Sequence, residues 1–148
     1  MTFRPIEDDE AEAVAALWAE VGLSRPWNPP LEDIAEFRAH PTAEVLVARD
    51  KDGIRATVAV CYDGHRGWVY YVATRPDLRG QGLGRAAMEA AEVWLRERGV
   101  KKLQLMVRTG NEPVLDFYRA QGFEDGHTTL MQKWLDPERD RLYREGQG

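Results

Sequence analysis

Residues 67–95 read GWVYYVATRPDLRGQGLGRAAMEAAEVWL, and the changes of pattern inside this stretch decide the fold class. Residues 68–74 form a β-branched and aromatic run of strand length. The glycine-rich turn Arg79-Gly80-Gln81-Gly82-Leu83-Gly84-Arg85 follows. From it Leu83, Ala86, Ala87, Ala90, Ala91, Trp94 and Leu95 recur at helical spacing and make one apolar face. Gly99 stops that helix, and the strand-like run KLQLMVR comes next. A strand, a crossover helix and a further strand require a locally parallel pair.

Upstream, EVLVARD and IRATVAVCYD are joined by Lys51-Asp52-Gly53, and Asp-Gly between apolar runs signals a hairpin. The turn at residues 63–67 leads on into the 68–74 strand, so an antiparallel meander precedes the crossover. At the N-terminus, residues 2–6 suit a short strand. Asp8 or Asp9 can cap a helix carrying Val14, Leu17, Trp18 and Val21, which Gly22 ends. The loop SRPWNPP excludes helix and central strand, and residues 31–40 fit a second helix closed by Pro41. After residue 110 we expect a helix over NEPVLDFYRA, a last strand around TTLMQKWL, and a charged tail from about residue 136 that is mobile. The expected architecture is α/β: a mixed, strongly curved sheet flanked by about four helices, in a single domain spanning 1–148.

The chain has 148 residues and a formal charge of −5, which argues against a general nucleic-acid binder. No apolar run approaches the roughly 20 residues of a membrane span. The N-terminus lacks the basic-then-apolar order of a signal peptide, so a cytoplasmic location is expected. Cys61 is the sole cysteine, and its apolar surroundings read as a buried, inert thiol. His40, His65 and His127 show no ligand spacing, and no metal is expected.

The glycine turn carries the chemistry. A helix start presents unpaired N–H groups and a partial positive charge, and so attracts phosphate. Glycines let the backbone approach an anion without a Cβ in the way. Arg75, Arg79 and Arg85 supply guanidinium groups around it. The bland alternative is that the glycines only shape a tight turn. Gly82-x-Gly84-x-x-Ala87 also fits a dinucleotide fingerprint. Against that, six residues separate the strand from the critical glycines, and no acid follows about 20 residues on to hold a ribose.

The stretch VYYVATRPDLRGQGLGRAAM, followed by NEPVLDFYRAQGF, resembles the coenzyme A-binding core of the GNAT N-acetyltransferase superfamily. Its Gln/Arg-x-x-Gly-x-Gly/Ala motif is met by Arg79, Gly82 and Gly84. SRPWNPP, YDGHRG and the short length are similar to the bacterial branch typified by YpeA. The resemblance implies acetyl-CoA as cosubstrate and a small-molecule or peptide amine as acceptor. Backbone groups of Val72, Ala73 and Thr74 would pair with the pantetheine arm. The N–H groups of Gly80, Gln81, Gly82, Leu83, Gly84 and Arg85 would hold the pyrophosphate, with Arg79 at the turn's entry. Asn111 would touch the pantetheine end, and Tyr118 would protonate the departing thiolate.

Each role has a plainer competitor. Tyr118 lies on an apolar stripe with Val114 and Phe117 and could be core; Asn111 could be a helix N-cap. The positions where relatives carry a basic glutamate hold Tyr70 and Met106. Asp63, His65 and Arg66 could serve the acceptor or simply build a hairpin turn; Arg25, Trp27 and Asn28 could cover the acceptor, or Trp27 could only anchor its loop. Strand alternation would put Tyr70 and Tyr71 on opposite faces. The competing functions are a non-catalytic acyl-CoA sensor and a dinucleotide-dependent oxidoreductase. The charged tail and exposed strand edges are compatible with a homodimer.

Overall fold

The structure, a computed structural model, describes residues 2–147. By its contacts the chain divides into two compact units, Met1–Gln104 and Leu105–Gly148.

The first unit is a five-stranded sheet in the order β1 (Arg4–Pro5), β2 (Ala43–Asp50), β3 (Gly53–Tyr62), β4 (Gly67–Thr74), β5 (Leu103–Gln104). All neighbours are antiparallel except β4 and β5, which are parallel as the crossover requires. Helix α1 (Ala11–Glu20) and helix α2 (Pro30–Ala39) precede the hairpin, and helix α3 (Leu83–Glu97) connects β4 to β5.

Helices cover the sheet on both sides, which explains the near-continuous apolar runs of β2 and β3. Val14, Leu17 and Trp18 of α1 and Ile34 of α2 pack with Val45, Val47, Ala59 and Ala73. Alternation turns Leu46, Val58 and Val60 to the other face. All three are buried, on the side left for α3 with its buried Ala87, Met88, Ala91, Trp94 and Leu95. Gly67 marks how closely α3 approaches: a Cβ there would stand 2.7 Å from Leu95.

The helix starting at Asp8 begins differently from the sequence expectation. A 3-10 turn at Asp8–Glu10, with Glu7 at its cap, precedes α1, and Glu10 rather than either aspartate stands at the N-cap of α1. The anchor is Glu10, which accepts the Glu7 backbone N–H at 2.9 Å. Its carboxylate also meets the Arg4 guanidinium through two contacts of 2.8 Å and Arg49 at 3.0 Å. The Arg4 hydrogen bonds outweigh the burial of Glu10 and pull its carboxyl down to about 2.

The second unit departs most from expectation. Helix α4 (Glu112–Arg119) forms where NEPVLDFYRA predicts it. The KLQLMVR run makes a strand only at Leu103–Gln104, and residues 128–135 make none. A strand exists only where a neighbouring backbone completes its ladder, and side-chain pattern does not supply that neighbour. The tail carries a helix the sequence reading did not place, α5 (Pro137–Gln147). Asp136 accepts the Glu138 N–H at 2.9 Å, proline occupies the first helical position, and Arg141 pairs with Glu138 and Glu145 along one face.

Candidate active site

Strand β4 is irregular at its centre. Ala59 pairs with Tyr70 and Thr57 with Ala73, so Tyr71 and Val72 together oppose the single residue Val58. This is a β-bulge. Tyr71 sits in it with φ +54°, a left-handed conformation that is an outlier for a bulky side chain.

Three groups surround that strained residue, of which Trp18 and Thr57 are buried. Its ring stacks on Trp18, centroids 3.7 Å apart and planes 4° from parallel. Its carbonyl accepts the Thr57 hydroxyl at 2.9 Å, and the same hydroxyl accepts the Trp18 indole N–H at 2.9 Å. Its phenol donates to the carboxylate of Asp33 on α2. Burial first, and then the hydrogen bond to Asp33, raise the Tyr71 phenol far above its usual range.

The bulge cancels the expected alternation. The rings of Tyr70 and Tyr71 lie 6.1 and 6.4 Å from that of Phe37, so both are on the α2 side. An extra residue in one strand shifts every later side chain by one face, which no count of residues along the strand reveals.

The β4/β5 ladder ends at Trp68 and Gln104. Beyond it, among the described residues, no strand pairs with the outer edge of residues 69–74. Val72, Ala73 and Thr74 close β4 on that edge. A 3-10 turn at Pro76–Leu78 then leads to Arg79 and the glycines. Gly80 and Gly82 both have φ +80°, and a Cβ on either would meet no protein atom within 4 Å. Gly82 takes the N-cap position of α3 with no side-chain cap, and the first turn holds no acid. The leading N–H groups, on Leu83, Gly84 and Arg85, therefore have no intrahelical acceptor. Leu83 is buried and Gln81 and Arg85 are exposed, so one side chain pins the turn to the core.

The three arginines part company. Arg75 is committed within the protein, pairing with Asp77 at 2.8 Å and with Asp50 at 3.6 Å. It ties the end of β4 to the β2–β3 hairpin. Arg85 approaches Glu89 at 3.5 Å on the helix surface. Arg79 is exposed and, among the described residues, forms no ion pair.

The residues considered for the acceptor side separate as well. Asp63 accepts the backbone N–H groups of His65 and Arg66 and the indole of Trp68, so that segment is a self-satisfied turn. Trp27 is buried, which fits the anchor of its loop. Cys61 is half-buried, and burial followed by the nearby Asp63 raises its thiol. That is the opposite of an activated nucleophile.

In the second unit, Asn111 stands at the N-cap of α4 but makes no side-chain capping bond, so its amide is not spent on the helix. The Tyr118 ring meets Phe117 and Phe123 edge-on at 5.0 and 5.6 Å. Burial raises its phenol above the usual value. Met106 is exposed.

Sequence reading missed Asp33, Thr57 and Trp18 as partners of the bulge. One signal was present: Thr57 is a lone hydroxyl in an apolar strand, and such a group needs a partner when buried. Among the described residues there is no metal-ligating cluster and no helix long and apolar enough to cross a membrane.

The chain is similar to known proteins. An acetyltransferase of Yersinia pseudotuberculosis is 38% identical over 135 residues, covering 91% of this chain and 96% of that one. A Bacillus halodurans protein described as a transcriptional regulator superposes with a TM-score of 0.76 at 24% identity, over 90% of this chain and 99% of that one. A predicted acetyltransferase from Clostridium acetobutylicum, solved with acetyl-CoA, gives 0.71 at 17% identity, over 89% and 95%. The Acetyltransferase (GNAT) family matches residues 11–123, a span running from α1 through the bulge and the glycine turn to the end of α4, and the chain belongs to that family.

Proposed function

We propose that this acetyl-CoA-dependent N-acetyltransferase holds its cosubstrate along β4 and the glycine turn and transfers the acetyl group directly to an α-amine or another weakly basic amine, with Tyr118 as general acid. One observation carries the cosubstrate half. The free edge of residues 69–74 runs into a helix start with unsatisfied amides and open space over Gly80 and Gly82. Val72, Ala73 and Thr74 pair with an extended amide arm as an added strand would. The N–H groups of residues 80–85 and the Arg79 guanidinium meet the pyrophosphate. Asn111 meets the far end of the arm, and the whole of 1–148 acts as one acetyltransferase domain.

The acceptor nitrogen attacks the thioester carbonyl, a C–N bond forms, and the C–S bond breaks. Backbone N–H at the bulge stabilises charge developing on the carbonyl oxygen. Tyr118 gives its proton to the leaving sulfur; its burial-raised pKa keeps that proton available at neutral pH. The amine's proton leaves to water, because Tyr70 and Met106 occupy the positions of a base. This limits the acceptor. At pH 7 a lysine amine is neutral in roughly one molecule in 2,500 and an α-amine in roughly one in seven. An enzyme without a strong base loses far less with the second.

The test is thiol release from acetyl-CoA across amines and peptide N-termini near pH 8. Turnover concentrated on α-amines supports the reading, and a preference for lysine side chains overturns its acceptor half. Silence with every amine, while calorimetry still detects acetyl-CoA binding, would favour a sensor. Tyr118→Phe is expected to lower kcat by about 100-fold with acetyl-CoA affinity unchanged.

A further inference from the structure

We propose that Asp33 and Tyr71 are positioning residues for acyl transfer: the α2 carboxylate grips the phenol of the left-handed residue in β4 and so fixes the bulge that faces the thioester. This rests on the reading that acetyl-CoA lies along β4.

A left-handed L-residue crowds its Cβ against the following carbonyl, and such strain persists only where the surroundings over-determine it. At Tyr71 they do so from three elements. Trp18 of α1 stacks on the ring, Thr57 of β3 holds the carbonyl, and Asp33 of α2 accepts from the phenol. Trp18 and Thr57 are fully buried in the core. They fix the near end of the side chain as part of the general packing. Asp33 is different: it lies partly exposed in the first turn of α2, directly after the proline-rich loop.

Trp18 and Thr57 hold the ring face and the carbonyl, and neither holds the far, phenolic end of the side chain. Asp33 holds that end, and with both ends fixed the following peptide plane, which joins Tyr71 to Val72, is held with them. A donor amide in an oxyanion site loses its value when it turns away from the oxygen. The phenol stays protonated at working pH, so the grip is constant. Helix α2 thereby sets the geometry of β4.

The experiment compares Tyr71→Phe, Asp33→Asn, Asp33→Ala and the double variant Tyr71→Phe/Asp33→Ala with the unaltered chain. Phenylalanine keeps the Trp18 stack, and asparagine keeps an acceptor oxygen, so at least one variant retains the fold. Calorimetry reads the preference for acetyl-CoA over CoA, whose free thiol lacks the carbonyl. The 13C shift of bound [1-13C]acetyl-CoA reads carbonyl polarisation, and neither measurement needs an acceptor. We expect Tyr71→Phe and Asp33→Ala to abolish the preference and move the carbonyl signal toward its free position. With an amine that turns over, kcat should fall about 10-fold at nearly constant KM for acetyl-CoA, a loss of the size a small misplacement produces. Asp33→Asn should lose least, and the double variant no more than Tyr71→Phe alone. Variants that are merely less heat-stable, with unaltered preference, carbonyl shift and kcat, overturn the inference alone. An unaltered chain that binds no acetyl-CoA overturns the cosubstrate reading, and this inference with it.

Discussion

Two turns border β4, and they use similar residues to opposite ends. The turn entering it, residues 63–67, contains an aspartate, an arginine and a left-handed glycine, Gly64 at φ +96°. Its polar groups are consumed internally: one Asp63 carboxylate takes up two backbone N–H groups and an indole, at 2.7 to 3.0 Å. The turn leaving β4 also combines arginines with left-handed glycines, but no side chain caps the amides that open α3. Buried or half-buried N–H groups rarely stay unsatisfied. The first turn satisfies its own donors, and the second leaves its donors facing open space, where the proposed pyrophosphate would meet them.

Matched glycine substitutions give the sharpest way to break this contrast. Gly64 and Gly82 both have positive φ, and a Cβ on either meets no protein atom within 4 Å. Alanine at either position should therefore cost a similar ~1–2 kcal/mol of stability through backbone strain. Only at Gly82 does the new methyl group enter the proposed pyrophosphate cradle. Gly82→Ala should weaken acetyl-CoA binding by about 30-fold, or ~2 kcal/mol, and Gly64→Ala should leave it unchanged. Thermal denaturation and calorimetry on the same samples separate the two effects. Equal binding losses would erase the distinction between the turns.

How much of this was legible beforehand differs along the chain for physical reasons. The 68–74 strand, the glycine turn and α3 are written in local signals, namely β-branched residues, glycines and a 3.6-residue period, and each formed where the sequence placed it. The bulge was not legible. Nothing in Tyr70-Tyr71-Val72 announces an extra residue, because a bulge is a property of pairing with β3. With it went the faces of both tyrosines and the brace to Asp33. Arg75 has a partner that its proximity in sequence to the glycines did not reveal, Asp50, 25 positions upstream. Residues 128–135 carry strand-forming side chains but form no ladder in the structure. In the tail, Asp136, Pro137 and the spaced arginines and acids were a helix start and its surface pairs, and reading them only as charge missed α5.

The arginines offer a smaller effect of the same kind. Arg79→Ala should weaken acetyl-CoA binding about 5-fold at low salt, and less as ionic strength rises and screens the exposed charge. Arg75→Ala should act on folding instead, lowering Tm by freeing Asp50 and Asp77, with little change in cosubstrate affinity. Titrations at two salt concentrations check the first, and denaturation curves the second. If Arg75→Ala proved the stronger binding defect, Arg75 would serve the cosubstrate as well as Asp50 and Asp77, and the contrast between the two arginines would fall.

The smallest effect should come from Asp63, and its sign with pH is fixed by the hydrogen bonds it accepts. The Arg66 backbone N–H foremost, then the Trp68 indole and the His65 N–H, stabilise the carboxylate and hold its pKa below the usual aspartate range. A group depressed in the folded state contributes stability above its unfolded pKa, near 3.9, and that contribution is lost as pH falls through the folded value. Asp63→Ala should therefore lower Tm at pH 7. The gap between variant and unaltered chain should narrow steadily below about pH 4, as the unaltered chain loses the same bonds by protonation. Acetyl-CoA affinity should not change, because the side chain serves only its own turn. A gap independent of pH would mean that the carboxylate's charge contributes nothing to closing that turn.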